Sequence, residues 1–283
     1  MISFKNFLNT AMLGEEHEIK SFQQGADLIE ANCQQFLKES KGHYLCRGIK
    51  KLEHSNKFFY TPQPHDRPPV DSSGAVNVLL SMGFQSMLGR PSLRASSYFG
   101  TGNSVIARDY GPVHYIFPLD GYSYVWSQEI EDAHLDNSKI FKRISLKLED
   151  SPLEMKFNPT VTVIAEIFKM MYYLLRDVSL DVDINSQDFY NVIKKSIEGQ
   201  IELDKMVSSL APEDKLEDID AELFIEAVGL AFKELYIHDS GLYGALNRPT
   251  EIAFFKGKGY YAISKDMLKE EGFSYSTFYQ SMV

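Results

Sequence analysis

The sequence lacks features that several classes of protein need. Of its 283 residues only two are cysteines, Cys33 and Cys46, too few for a disulfide framework or a four-thiolate zinc site. The formal net charge of −10 argues against a nucleic-acid binder that relies on a broad basic face, although a small basic phosphate pocket is compatible with it. No stretch reaches the roughly 18 apolar residues of a membrane span, and the start, MISFKNFLNTAML, lacks the pattern of a signal peptide. We therefore expect a soluble, cytoplasmic protein with no membrane contact.

Metal-binding and nucleotide-binding motifs are also missing. The seven histidines are scattered, and none pair at the i, i+4 spacing of a helical metal site. The sequence contains no P-loop, no GxGxxG and no GxSxG. The sequence therefore predicts no metal site.

Apolar residues are plentiful, at 44%, and their spacing predicts the secondary structure. The stripe from Ile19 to Phe36 predicts one amphipathic helix over 17–38. Further helices are predicted over 74–88, 104–110, 159–175, 187–199, 220–235 and 265–272. Strands are predicted over 44–50, 57–61, 93–103, 113–119, 121–126 and 251–264, the last as two short strands around a KGKG turn. Polar and charged residues dominate 127–158, and the acidic 198–222 stretch is interpreted as a hairpin or linker.

Predicted strands therefore lie on both sides of a helical middle. Because a sheet must then recruit its last strands from residues far along the chain, the pattern predicts an α+β fold rather than alternating βαβ units. We interpret 1–283 as a single domain with a helical insertion at about 150–240.

One arginine interrupts an apolar, strand-like run, YLCRGIK, at residues 44–50. Burying a guanidinium without an anionic partner costs several kcal/mol. Arg47 therefore faces either a structural carboxylate, such as Asp66 or Asp71, or an anion that arrives from outside.

Two further stretches place polar residues in strand-like contexts. RASSYFGTGN contains Ser96, Ser97 and Thr101 around two aromatics, and EIAFFKGKGYYAI opens with Glu251. A strand arginine, a serine-rich strand and a glutamate at the head of a late strand, in this order, resemble the R-S-E arrangement of ADP-ribosyltransferases. The stretch YFGTGNSVIARDYGPVHYIFPLDGYSYVWS is also similar to phage-encoded proteins of this type.

The resemblance implies an ADP-ribosyltransferase-like split β-sheet core with an N-terminal helix and an inserted helical block, and NAD as the cofactor. Such enzymes break the bond between nicotinamide and ribose, and the ribose becomes cationic in the transition state, as in glycoside cleavage. The resemblance assigns Glu251 to stabilising that cation. It assigns Ser97 or Ser96 to holding the glutamate and the ribose in register.

The resemblance also implies the residues that contact the cofactor. A guanidinium binds a diphosphate through two parallel hydrogen bonds, which would be the role of Arg47. An aromatic ring can stack on the nicotinamide, a role open to Tyr98 or Phe99. The full set of implied cofactor-binding residues is Arg47, Gly48, Tyr98, Phe99 and Thr101.

Strand alternation restricts which serine can act. Residues 96, 98 and 100 share one face of a strand, and 97, 99 and 101 share the other. We favour the face of Ser97, Phe99 and Thr101, because Thr101 then lines up with the following turn.

The third motif departs from the family pattern. Many members have a second glutamate two residues before the catalytic one, tied to arginine modification, and here that position is Pro249. WSQEIEDAH offers a rival motif with Glu129 and Glu131. The alternative interpretation is that Ser127 caps a helix with an acidic first turn. Glu251 has the better strand context.

The leading hypothesis is an NAD-dependent ADP-ribosyltransferase-like enzyme that transfers ADP-ribose to a protein target. For a phage protein, that target belongs to the bacterial host and is met in the host cytoplasm. One alternative is a catalytically inactive phage virion or interaction protein. Another is an NAD glycohydrolase, in which water is the acceptor.

Overall fold

The computed structural model describes residues 17–50, 57–64, 74–89, 96–133, 135–149, 161–175, 190–197, 199 and 221–283. The chain divides into two compact units. We call the first the sheet unit; its described residues are 17–50, 57–64, 96–131 and 237–283. We call the second the helical unit; its described residues are those from 74 to 89 and from 132 to 236.

The sheet unit is built around a nine-stranded sheet. Its strands are β1 His17–Glu18, β2 Cys46–Gly48, β3 Phe58–Pro62, β4 Tyr98–Thr101, β5 Val113–Pro118, β6 Ser123–Ser127, β7 Tyr236–His238, β8 Glu251–Phe255 and β9 Gly259–Ser264. The strand order is β1-β3-β9-β5-β2-β4-β8-β6-β7. Each pairing with a described register is antiparallel. The α+β prediction is therefore confirmed.

The described helices are α1 Phe22–Asn32, α2 Gln34–Ser40, α3 Gly74–Leu88, α4 Ser104–Asp109, α5 Asn137–Glu149, α6 Val161–Leu175, α7 Ala221–Leu235, α8 Leu242–Leu246, α9 Lys265–Glu270 and α10 Tyr275–Gln280. A further helical stretch spans 190–197. No helix in the described ranges has the length and apolar character that crossing a bilayer requires.

The sheet curves and encloses an aromatic core. Tyr98 on β4 and Tyr260 on β9 have ring centroids 4.6 Å apart, although β5 and β2 lie between their strands. Tyr98 also stacks on Phe254 of β8, at 5.3 Å and 6°. Aromatic pairs at these distances contribute about 0.5–1.5 kcal/mol beyond the area they bury. This core therefore holds together strands that are distant in the sheet order.

The helical unit has a separate aromatic core. Phe168 of α6 lies between Phe141 of α5 and Phe224 of α7, with centroids 5.8 and 5.6 Å apart. Phe84 of α3 meets Phe232 of α7 edge to face at 5.2 Å. The predictions of helices at 74–88, 159–175 and 220–235 are confirmed by α3, α6 and α7.

The predicted helix over 17–38 is instead two helices, α1 and α2. Cys33 leaves the helical region between them, with φ −123° and ψ 29°. The backbone N–H of Asp120 donates to the Asn32 carbonyl, and its carboxylate accepts from the N–H of Gln35. A residue 85 positions away thus satisfies both sides of the break, and local periodicity could not reveal it.

Helix α5 is an element that the sequence interpretation missed. Its buried residues include Ile140, Ile144 and Leu148, which recur every four positions. Charged residues between them hid this stripe in a segment interpreted as polar. The predicted hairpin or linker at 198–222 lies almost entirely outside the described residues, as does the proline-rich loop that contains Asp66 and Asp71.

Candidate functional site

The three motifs singled out in the sequence lie on three consecutive strands. β2 carries Arg47, β4 follows directly on Ser97, and β8 begins at Glu251; the sheet order runs β2-β4-β8. Neighbouring strands are separated by roughly 4.8 Å. Segments more than 200 residues apart in sequence therefore come within two strand spacings of each other.

The register shows which residues of β4 share a face with Glu251. Thr101 pairs with Glu251 and Phe99 pairs with Ala253. Side chains that are directly opposite project from the same face, and alternate residues of β4 share that face. Phe99 and Thr101 therefore lie on the Glu251 face, and the same alternation continued one residue before β4 predicts that face for Ser97. Ser97 is fully buried.

Arg47 lies where β2 and β4 diverge and stop pairing. Within the described residues, β2 pairs with β4 at one position, Cys46 with Thr101, while it pairs with β5 at three. Arg47 follows Cys46, so alternation directs its side chain to the opposite face from the Thr101–Glu251 row. Its Nη1 donates to the carbonyl oxygen of Phe99 at 2.7 Å. The Arg47 side chain thus donates a hydrogen bond to a β4 carbonyl at a position where the backbones of β2 and β4 no longer pair.

The charge of Arg47 is not neutralised by a carboxylate within the part of the chain that the structure describes, because none of the ion pairs there includes it. The two carboxylates suggested as structural partners, Asp66 and Asp71, lie outside the described residues. A guanidinium has five N–H donors, and the Phe99 carbonyl occupies one of them. The remaining donors suit an anion such as a phosphate.

The two aromatic candidates differ in their surroundings. Tyr98 is 2% exposed, with its ring packed on Phe254 and Tyr260. Its hydroxyl is buried, with no hydrogen-bond partner among the described residues. Burial raises the pKa of Tyr98 well above its usual value, and nearby Arg47 opposes the shift. Because the core already encloses Tyr98, the half-buried Phe99 is the better candidate to stack on a ligand.

Gly48 and Gly102 allow the backbone to approach closely on either side of these strands. A Cβ at Gly48 would lie 2.0 Å from the carbonyl oxygen of Ala107. A Cβ at Gly102 would lie 1.8 Å from the carbonyl oxygen of Leu246, the last residue of α8. Gly48 therefore has a packing role besides the cofactor contact that the resemblance implies.

The rival glutamates lie beside Glu251. The N–H of Glu251 donates to the carbonyl oxygen of Glu131 at 2.9 Å. Ser127 makes the capping contacts expected of it, accepting from the N–H groups of Glu129 and Ile130. No helix follows within residues 128–133, which form bends and a turn. Glu129 and Glu131 are exposed, whereas Glu251 is half-buried.

Other reactive groups near the site have structural surroundings. Cys46 donates to the carbonyl oxygen of Thr101 at 3.1 Å. Burial raises the pKa of its thiol to about 12, with Lys265 opposing the shift. A thiol protonated at neutral pH is a poor nucleophile. Among the described residues, no group of three or more histidine, cysteine, aspartate or glutamate residues is arranged to hold a metal ion.

Sequence reasoning did not single out Gln63 or His114, which flank the site. His114 is buried and is the cross-strand partner of Arg47 on β5. Gln63 is buried and contacts both Ser96 and Phe254 through its side chain. Neither contact has a local signal, because the partners come from other strands.

No protein-family model matches the chain, and no curated protein or solved structure is significantly similar to it.

Proposed function

We propose that the chain is an ADP-ribosyltransferase-like enzyme that uses NAD and transfers ADP-ribose to a protein target. The observation that carries this proposal is the adjacency of β2, β4 and β8 in the sheet. It brings the backbone positions of a guanidinium, a hydroxyl and a carboxylate together from three distant segments. The resemblance of the motifs alone did not require this arrangement.

Arg47 would bind the diphosphate. Its side chain leaves β2 on the face opposite Glu251, so one dinucleotide that contacts both residues would run through the place where β2 and β4 separate. There, within the described ranges, the guanidinium contacts a neutral carbonyl, not a carboxylate. An anion would therefore recover the desolvation cost of a half-buried cation. The diphosphate would share or replace the contact with Phe99.

Glu251 would act on the ribose. When the bond to nicotinamide breaks, the bonding electrons leave with nicotinamide and the ribose gains positive charge. A carboxylate at the head of β8 would stabilise this charge, which develops only in the transition state. Thr101, the residue of β4 directly opposite Glu251, would hold the ribose and the carboxylate in register, while Ser97 lies four residues, roughly 13 Å, further along the strand.

The resemblance ties a second glutamate two residues before the catalytic one to arginine modification, and Pro249 at that position argues against arginine as the acceptor. The exposed Glu131 accepts a hydrogen bond from the N–H of Glu251 through its carbonyl oxygen, but it lies in the segment after β6 and not two residues before Glu251. Water as the acceptor would make the protein an NAD glycohydrolase.

Incubation of the purified chain with labelled NAD and a bacterial lysate tests the proposal. We expect label on a protein of the lysate, and weaker NAD binding for Arg47→Ala. Release of nicotinamide without labelled protein would instead indicate a glycohydrolase. Absence of NAD binding would contradict both enzymatic functions and favour an inactive interaction protein.

A further inference from the structure

A buried glutamine links two parts of the sheet that are not neighbours. Gln63 follows β3 directly, is 8% exposed, and donates its backbone N–H to the carbonyl of Lys258 at 3.1 Å. Its backbone therefore extends the pairing of β3 with β9. In the strand order, β9, β5 and β2 separate β3 from β4.

The side chain of Gln63 crosses this separation. Its Nε2 donates to the carbonyl oxygen of Ser96 and to that of Phe254, the latter at 3.3 Å. Both partners are carbonyl oxygens, which only accept, so they fix the orientation of the amide. One nitrogen atom thus holds together the beginning of β4 and the end of β8.

These contacts lie at one end of the ladder that carries the proposed site. Tyr98 pairs with Phe254 at this end, and Thr101 pairs with Glu251 at the other. Ser97 directly follows the Ser96 carbonyl that Gln63 holds. The Gln63 amide therefore restrains the backbone on which the position of Ser97 relative to β8 depends.

The same amide includes a group that destabilises the fold. Its Oε1 is buried and has no hydrogen-bond partner among the described residues. An unpaired buried carbonyl carries a desolvation cost that a methionine or leucine of similar volume would avoid. An apolar residue would thus fill the same space, but it would leave the carbonyls of Ser96 and Phe254 without this donor.

We infer that Gln63 is a positioning residue, whose buried amide sets the place of the Ser97 strand against the Glu251 strand. The effect on turnover rests on the proposed function, whereas the effect on the strand does not. A displacement of about 1 Å at a reacting group can lower turnover by up to roughly 100-fold.

Gln63→Met tests this inference, because it keeps the volume and removes the two donors. We expect faster hydrogen exchange of the Tyr98 and Phe99 amides, by about 10-fold or more. We expect kcat to fall by about 10-fold or more while KM changes little, since Arg47 still binds the diphosphate. Gln63→Leu, which also removes the two donors and provides an apolar side chain of similar volume, should behave in the same way and serves if the first variant folds poorly.

Gln85→Met is the matched control, because Gln85 is a buried glutamine of α3 in the helical unit. It should leave exchange in β4 and kcat unchanged. An equal loss of kcat in both variants at equal loss of thermal stability would overturn the positioning role.

The two proposals can fail separately. If the wild type turns over NAD and Gln63→Met keeps its kcat, the inference on Gln63 is wrong and the proposed function stands. If the wild type does not turn over NAD, the proposed function fails, and hydrogen exchange decides the inference. Unchanged exchange of the Tyr98 and Phe99 amides would then overturn it.

Discussion

The two units of the molecule differ in the polar side chains that they bury. In the described part of the helical unit, the buried polar side chains are those of Asn77, Gln85, Ser145 and Ser196. In the sheet unit they include Gln63, Ser97, Thr101, His114 and Thr250, which lie on the strands of the candidate site or beside them. Buried polar groups reduce stability unless they are paired. Among the described residues, the sheet unit therefore has more buried polar groups that depend on specific contacts than the helical unit has.

The units also differ in how the chain builds them. The helical unit is formed from long helices whose hydrogen bonds are local. The sheet unit pairs β4 with β8, about 150 residues later in the chain, and β3 with β9, about 200 residues later. Such non-local pairing is slow to form and sensitive to single backbone positions. The only tryptophan, Trp126 of β6, lies in the sheet unit, so its fluorescence reports on this unit separately.

The largest expected contrast concerns turnover. Glu251→Gln should leave NAD binding intact and lower turnover by about 100-fold to 1,000-fold, because only the transition-state cation loses its partner charge. Glu234→Gln is the matched change in the helical unit and should leave turnover unchanged. Steady-state release of nicotinamide measures both. Full activity of Glu251→Gln together with an inactive Glu131→Gln would move the catalytic role to the neighbouring turn.

Alanine at a glycine of each unit should give the next largest contrast. Gly102→Ala places a Cβ 1.8 Å from a backbone carbonyl, and we expect a loss of about 3 kcal/mol in the free energy of unfolding. Gly83→Ala in α3 meets the Phe232 ring at 2.2 Å, a buried side chain whose repacking costs less than displacing backbone. The gain in helix propensity, about 1 kcal/mol, offsets part of that cost. Urea unfolding followed by Trp126 fluorescence and by circular dichroism compares the two; equal losses would contradict the distinction.

The sheet unit should also be the more sensitive to alkali. Every described group whose pKa is raised lies there, and Cys46 and Tyr98 are two of them. Above the unfolded pKa, the unfolded chain releases protons that the folded state keeps, which favours unfolding. The contribution of these groups to the free energy of unfolding is therefore complete below the unfolded pKa and is lost as pH rises through the folded pKa. For Cys46, with a usual pKa of 9.0 and a folded pKa of about 12, the loss of unfolding free energy by pH 11 is on the order of 3 kcal/mol.

Urea unfolding at pH 8 and at about pH 11 measures this effect. Cys46→Ala should reduce the difference between the two pH values, because the group with the shifted pKa is absent. A wild type whose unfolding free energy is the same at both pH values would show that burial does not hold these groups in their protonated form.

Much of the secondary structure, but little of its assembly, was predictable from the sequence. The apolar periods of α3 and α7 predicted their bounds to within one residue. Nothing local predicted the break at Cys33, because Asp120 supplies the hydrogen bonds on both sides of it. The order of the nine strands depends on pairings between distant segments, which composition and periodicity do not encode.

The candidate site shows the same division. Arg47, Ser97 and Glu251 could be chosen because each stands out against an apolar strand. The preference for Ser97 over Ser96 came from strand alternation, whereas the pairing of Thr101 with Glu251 needed the register of β4 against β8. Gln63 could not be found, because its side chain bonds to backbone carbonyls 33 and 191 residues away. Every residue has a backbone carbonyl, so the amino-acid sequence does not show which carbonyls accept these hydrogen bonds.

The smallest expected effect is in the helical unit, at the ion pairs on its surface. Arg143 and Lys147 of α5 both contact Glu234 of α7, and the contact with Arg143 measures 3.0 Å. The hydrogen bond from Lys147 contributes most to lowering the pKa of Glu234, and Arg143 acts in the same direction. The Glu234 side chain is 41% exposed, so solvent screens these contacts.

Glu234→Gln should therefore lower the free energy of unfolding by less than about 1 kcal/mol, an effect that high salt removes. Because the folded pKa is lowered, the contribution exists above the unfolded pKa and disappears as pH falls through the folded value. Urea unfolding of both forms in low and high salt, followed by circular dichroism, measures it. A loss as large as that of Gly102→Ala would mean that charge pairing, rather than the phenylalanine core, holds α5 against α7. The contrast between a unit whose core also depends on specific polar contacts and one ordered by apolar packing alone would then fail.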